Sequence, residues 1–443
     1  MAQRGCPLKN GGFSMKRLLS VAMLAGCMSV MGDAFSAPVL NDDVPVALTQ
    51  DETSGRVTAT YSLSGAPAIV TVEVLTNDVP VDASALGPMS GDVHRLITEA
   101  GNHAVYWKMP QWWMDRVGET NLKVKVSAWS PTTPPDWMVV SLIDTNGYVR
   151  YYADELSIPG GVENSLYKTE QMLFRKIPAA KVRYRFGAPS GEKGKTSENG
   201  TPRIVTVNND FYMGVYQVTQ RQYELVTGDR PSFFSNVVDY AERPVEQISY
   251  KDVRGDGYEW PESRHEVAED SFMGILRRRT GVDGFDLPAE IEWEFAARAE
   301  CASALYTGSE LSGVQTSSSL NDIARYRKHN GYIDGSTEPD GKALSQNGTA
   351  KVGEHDSNKW RLFDMVGNVW EMCLDFYNAD PTAAELEAGG PSSGNSHSAR
   401  GGAWNSLSER CRCASRYYFG VATPNKGLGF RVAMPLPRVE EMN

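Results

Sequence analysis

The stretch Leu287-Pro-Ala-Glu-Ile-Glu-Trp-Glu-Phe-Ala-Ala-Arg298 decides the fold. Pro288 suits a first helical turn, where its missing N–H has no helical partner to lose. Glu290 and Glu292 sit at the positive end of the helix dipole. Ile291, Phe295 and Arg298 recur on one face at helical spacing. Trp293, together with Trp370 and Trp404 further on, reads as a large core anchor. Arg298, Arg416 and Arg431 would be costly to bury unless carboxylates or carbonyls receive them. Glu294 and Glu371 are the expected partners. A structural polar network, not a catalytic acid/base set, accounts for this combination, because such networks perturb charges without doing chemistry.

Outward from that helix, five more segments stand in order: Phe211-Tyr-Met-Gly-Val-Tyr-Gln-Val-Thr-Gln220, Arg243-Pro-Val-Glu-Gln-Ile-Ser249, Phe363-Asp-Met-Val-Gly-Asn-Val-Trp-Glu371, Arg400-Gly-Gly-Ala-Trp404 and Gly429-Phe-Arg431. Gly401 and Gly402 permit positive φ or close backbone approach. Gln220–Val226 follows Thr219, a good N-cap. Long irregular loops such as 304–321 and 380–398 connect the rest, and loops of that length are functional or metal-braced. Taken together, residues 176–437 strongly resemble the sulfatase-modifying-factor family, the family of formylglycine-generating enzyme. The resemblance implies an α+β, C-type-lectin-like domain with little regular structure.

It also implies a chemistry. Enzymes of the family oxidise a cysteine in a Cys-x-Pro-x-Arg segment of a sulfatase polypeptide to formylglycine, using O₂ and Cu(I). Two cysteine thiolates hold the soft copper ion. Counted from Gly401-Gly402, the first of those positions is Ser406 and the second is Cys411. A serine hydroxyl is a hard, protonated, poor Cu(I) ligand. Counted back from Cys413-Ala-Ser-Arg416, the loop is shortened by three residues, and Cys411 is then not the equivalent position. The expected reading is a non-catalytic binding or structural member. The alternative is a formylglycine-generating oxidase with a rearranged site. Cys413 matches a structural disulfide position of the enzyme, where the partner falls at Ala297, and Cys301 stands four residues on.

The resemblance further implies a calcium ion before the Gly-Asn-x-Trp-Glu motif. Asp364 would hold it through its side chain, and Met365, Gly367 and Val369 through their carbonyls, an all-oxygen shell that suits Ca²⁺. The family's second calcium site has no counterpart in residues 305–345.

The N-terminal part differs in texture. Val57, Ala59, Tyr61 and Leu63 alternate with polar residues, as do Val70, Val72 and Val74, and Leu122, Val124 and Val126. Such alternation predicts strands with one buried face, and 37–135 reads as a β-sandwich with Trp107 in its core that resembles an immunoglobulin-like module. Ser130-Pro-Thr-Thr-Pro-Pro-Asp136 reads as a boundary, because this much proline cannot sit inside a sheet. Residues 136–175 then read as a connector with strand-like pieces at Met138–Ile143 and Tyr148–Tyr152.

Residues 1–36 carry an export signature: Lys16 and Arg17 precede an apolar stretch from Leu18 to Met31. Ala34-Phe35-Ser36 offers a peptidase site, and Leu24-Ala25-Gly26-Cys27 resembles a bacterial lipobox. Export to the periplasm, the exterior or the cell surface is expected, with membrane attachment only through the signal peptide or a lipid anchor. Among the 443 residues no apolar run reaches membrane-spanning length. Forty-four Lys and Arg against 55 Asp and Glu give a net charge of −11 with no basic block, which excludes nucleic acid as a partner. The six His lack metal-motif spacing. The expected partner is a protein or glycan ligand, or a sulfatase polypeptide if the domain is catalytic.

Overall fold

The computed structural model describes residues 38–41, 44–51, 53–109, 122–143, 149–261, 265–327 and 348–436. The leader and its Cys27 lie outside them, as does part of 305–345. The chain forms two compact units, divided between Ala128 and Trp129.

In the first unit, Ala47–Gln50, Arg56–Leu63, Gly101–Lys108 and Ser90–Gly91 make a four-stranded antiparallel sheet. Ala68–Thr76 pairs with Val79–Pro80, Arg95–Ile97 and Leu122–Trp129 in a second sheet. The alternation fixes which residues turn inward: Val57, Ala59, Tyr61 and Trp107 join Val70, Val72, Val74 and Val124 in one core. Trp107 is 2% exposed and its indole N–H points at Met109 Sδ, 3.2 Å away, so it is a core residue.

The second unit is built on a five-stranded sheet ordered Val149–Tyr152, Trp137–Ser141, Gln171–Ile177, Phe211–Gly214 and Ala433–Pro435. The segment expected as a connector thus supplies three of its five strands. Trp137–Ser141 is buried along its whole length, so it belongs to a sheet interior. The prolines before it are not a loose tether either. Pro134 and Pro135 are buried, and their carbonyls accept from Lys176 Nζ and the Tyr212 hydroxyl.

A four-stranded sheet follows, ordered Arg416–Gly420, Ser396–Arg400, Trp370–Phe376 and Leu428–Gly429. The helix expected from Pro288 spans Glu290–Arg298, with Ala289 at its N-cap and Pro288 just outside it, and eight of its residues are buried. Ile291, Trp293 and Phe295 share a core with Ile177, Phe211 and Met213 of the larger sheet and with Cys373 of the smaller. Its leading segment ties the two sheets together. Asp286 exchanges backbone bonds of 2.9 and 2.7 Å with Ala433, and Pro288 accepts from Leu374 N at 3.0 Å. Among the described residues the unit is mostly sheet and irregular loop, with few helices.

Candidate functional site

The smaller sheet and the helix enclose a set of buried ion pairs. Glu290 receives Arg416 in a fork, Nε to Oε1 at 2.6 Å and Nη2 to Oε2 at 2.8 Å, with Ser398 Oγ donating at 2.9 Å. Burial pushes the Glu290 carboxyl up, but Arg416 and Arg400 outweigh it and hold the group below its usual range. Glu294 receives Arg298 Nε at 2.8 Å, the amide of Gly187 at 2.8 Å and Arg400. Glu371 receives Arg431 through Nη2 at 2.8 Å and Nε at 3.0 Å, and the Trp293 indole N–H at 2.6 Å. Of the two expected partners, Glu294 receives Arg298 and Glu371 receives Arg431. Arg416 instead goes to Glu290, and Arg400 was not anticipated. Every one of these carboxylates is saturated by fixed donors, which makes the network a scaffold and leaves no free acid or base.

Ser406 and Cys411 occupy different environments. The Ser406 amide donates to Ala403 O at 2.9 Å, and its hydroxyl oxygen accepts from Ala403 N at 3.0 Å, so the side chain closes its own turn. Cys411 is fully buried. Its sulfur lies under Gly402, whose φ of +85° and bare Cα permit the approach, since a Cβ there would meet the sulfur at 2.8 Å. Burial pushes the Cys411 thiol up to about 12, and the Cys413 thiol likewise. A thiol in that state is a poor nucleophile.

Two distant segments cover this stretch. Glu409 N donates to Val314 O at 2.9 Å and Ser408 Oγ to Gly313 O at 2.9 Å. On another side Arg412 reaches Gly194 O and Asn199 Oδ1, both at 2.8 Å from Nη2, and pairs with Glu192 through Nη1. Gly194 packs so closely that a Cβ on it would stand 3.0 Å from Glu409 Cβ. The residues between the two copper positions are therefore clamped by 192–199 and 313–315. All four described cysteines, Cys301, Cys373, Cys411 and Cys413, are free thiols. Cys301 Sγ faces Leu305 O at 3.5 Å, one residue from the carbonyl that takes Cys413 N.

The stretch 363–371 holds a second candidate centre. Asp364 is 1% exposed at a φ of +56°, and its Oδ2 accepts from Gly353 N at 2.7 Å. Its Oδ1 is buried without a hydrogen-bond partner. Burial pushes this carboxyl up to about 6. The Val369 carbonyl accepts from Gln217 Nε2 at 3.2 Å. Among the described residues no three His, Cys, Asp or Glu side chains cluster as a metal centre; a shell here would rest on one carboxylate and backbone oxygens.

Sequence reasoning passed over an aromatic ladder at the sheet edge. Trp370 stacks on Tyr417 at 5.4 Å, Tyr417 on Tyr418 at 5.3 Å, and Tyr418 lies 4.7 Å from Tyr377. Tyr418 is 44% exposed, and the Arg410 guanidinium sits 5.7 Å from the Tyr417 ring. The signal was in the sequence, as the run Tyr417-Tyr418-Phe419 on one strand.

Comparison with known proteins places residues 170–436 in the family described as "Sulfatase-modifying factor enzyme 1-like domain". A serine/threonine-protein kinase pkn1 of Chlamydia pneumoniae is 27% identical over 233 residues, 51% of this chain and 33% of that one. A formylglycine-generating enzyme of Thermomonospora curvata is 31% identical over 159 residues, 34% of this chain and 49% of that one. The chain thus spans a third to a half of these two relatives. The solved structure of PvdO from Pseudomonas aeruginosa covers 60% of this chain and 94% of its own, at 22% identity and a TM-score of 0.45. The family match and the sheet-rich second unit fit a C-type-lectin-like fold.

Proposed function

The chain belongs to the sulfatase-modifying-factor family, and from that premise we propose that it is a non-catalytic member, an exported binding or structural protein. The observation that carries this reading is the state of the copper positions. A hydroxyl stands at Ser406, and Cys411 is a buried, protonated thiol clamped by Arg412 and by 313–315. The donor set does not fit Cu(I), which needs accessible thiolates.

The ligand surface in this reading is the ladder of Tyr377, Tyr417 and Tyr418. Aromatic rings with an adjacent guanidinium suit a protein or glycan ligand, because they supply large contact area at low entropic cost. Export rests on the 1–36 leader. The first unit is read as an immunoglobulin-like module, supported by its two sheets on one core.

Calcium enters as a structural ion. Asp364 Oδ1 fits it, being a buried oxygen without a hydrogen-bond partner, and the Met365 and Gly367 carbonyls would complete the expected shell. Val369 fits less well, since Gln217 already uses its carbonyl. The ion would neutralise the Asp364 carboxylate and brace the loop before Glu371; Asp364 and Gln217 orient that loop.

An anaerobic Cu(I) titration of the full chain tests the reading. The wild type and a Ser406→Cys variant should both bind Cu(I) weakly, because Cys411 stays sealed in each. Tight, stoichiometric binding by the wild type would support the alternative, a formylglycine-generating oxidase acting on a sulfatase polypeptide.

A further inference from the structure

The outward residues of the first unit's four-stranded sheet fall into lines, because a cross-strand pair places both side chains on one face. Thr49 pairs with Thr58, Thr58 with Tyr106, and Ser90 with Tyr106. A hydroxyl thus stands on each of the four strands, in a line that crosses the sheet at the interstrand spacing of about 4.8 Å. Two residues along, Arg56 pairs with Lys108, and both are exposed. Like charges directly opposite one another destabilise a sheet. Arg95, Lys123 and Lys125 of the same unit each pair with a carboxylate. Among the described residues Arg56 and Lys108 have no such partner. Asp51, whose amide donates to Arg56 O at 2.9 Å, spends its Oδ1 on the amides of Thr53 and Ser54. The Arg56 guanidinium instead lies 4.3 Å over the Tyr106 ring. A guanidinium stacked by its face keeps the N–H donors of its edge for a carboxylate.

We infer that this face binds an acidic carbohydrate chain, laid across the strands with its hydroxyls along the line from Thr49 to Ser90 and a uronate carboxylate between Arg56 and Lys108. A carboxylate there converts an unfavourable cross-strand pair into a bridged one, and the charge complementarity sets the sign of the ligand. The line of hydroxyls supplies donors and acceptors for a polyhydroxylated ligand. The outward positions beside that line are Ala47, Thr60 and Ala104, so the face has no large apolar side chain to insert into a membrane. An extended peptide would pair with a sheet edge through its main chain, whereas the paired cations stand on the face. The site lies in the first unit and does not rest on the reading of the aromatic ladder.

The test is a calorimetric titration of the full chain with hexagalacturonate and with its fully methyl-esterified form, which keeps the sugar and removes the charge. The wild type should bind the acid, and the ester at least about tenfold more weakly, the scale of a lost charge-assisted hydrogen bond. Arg56→Gln and Lys108→Gln should each weaken binding of the acid by a similar factor and leave that of the ester as it is. Lys108→Gln should also melt no lower than the wild type, because it relieves the like-charge pair. Thr58→Val should weaken acid and ester alike. Failure of the wild type to bind hexagalacturonate would overturn the site. So would binding that survives the combined Arg56→Gln and Lys108→Gln changes in a chain with the wild-type melt. Tighter binding of hexaglutamate through the same two cations would overturn the carbohydrate as the occupant.

Discussion

Arg412 donates from Nη2 to Oδ1 of Asn199 at 2.8 Å, and the residue between Cys411 and Cys413 is thereby the one that fastens the 192–199 loop over them. The same side chain pairs with the buried Glu192 and caps the Glu409 carbonyl. Burial of the copper positions and anchoring of that loop are one arrangement.

Replacing Arg412 with Met should therefore do two things. It leaves Glu192 buried without its cation, a loss of the kind that costs about 3–5 kcal/mol. It also frees the loop, so Cys411 and Cys413 should react with a maleimide in the native protein where the wild-type thiols do not. Urea unfolding and labelling mass spectrometry read the two effects. A stability change below about 1 kcal/mol, the range of an exposed pair, would contradict the clamp.

Asp364 sets a pH dependence whose sign depends on calcium. Its folded-state value of about 6 lies above the unfolded carboxylate value of about 4. In EDTA its contribution is fully present below about pH 4 and is lost as pH rises through about 6. Calcium favours the carboxylate and should abolish that loss. At a hundredfold excess over Kd the ion should add about 2.7 kcal/mol to stability. Identical melts with and without EDTA between pH 4 and 8 would count against the site.

Asp375 gives a metal-independent counterpart. Burial, then Glu290, pushes its carboxyl up to about 8. Its Oδ2 accepts from Glu290 N at 2.6 Å, and its Oδ1 has no partner. Stability from the neutral form is lost as pH rises through about 8. Asp375→Asn mimics that form, so the variant should match the wild type below about pH 4 and exceed it by a growing margin up to pH 9. A variant less stable than the wild type at pH 9 would show that the carboxylate is the favoured state.

The helix at Glu290–Arg298 was legible because period and acidic first turn agree, although Pro288 falls before the N-cap and not in the first turn. That Glu294 and Glu371 would receive arginines was legible because buried guanidinium groups need carboxylates. That Arg416 chooses Glu290 was not, since sequence does not say which of several equivalent carboxylates lies within reach. Residues 130–136 misled for a related reason, and the connector reading of 136–175 followed from them. Pro-rich composition reads as a linker, and only the fold shows Pro134 and Pro135 buried with their carbonyls bonded. The sealing of Cys411 was beyond sequence altogether, because Glu192, Asn199 and Gly313 lie about a hundred or more residues away from it.

Those buried prolines also move the expected site of proteolysis. Thr133 is exposed and Pro134 is not, so a protease should cut between Ser130 and Thr133. The larger fragment should keep its cooperative melt, because the first strand of its main sheet begins only at Trp137. Cleavage at 136–148 with loss of that melt would contradict the boundary at Ala128.

The most direct measurement is oxidation of a Cys-x-Pro-x-Arg peptide by the copper-treated full chain in the presence of O₂, read by mass spectrometry. A sealed Cys411 with Ser406 beside it predicts that the peptide cysteine is recovered unchanged. Formylglycine in the product, lost on Cys411→Ala or Cys413→Ala, would contradict the non-catalytic account and name the thiol that carries the reaction.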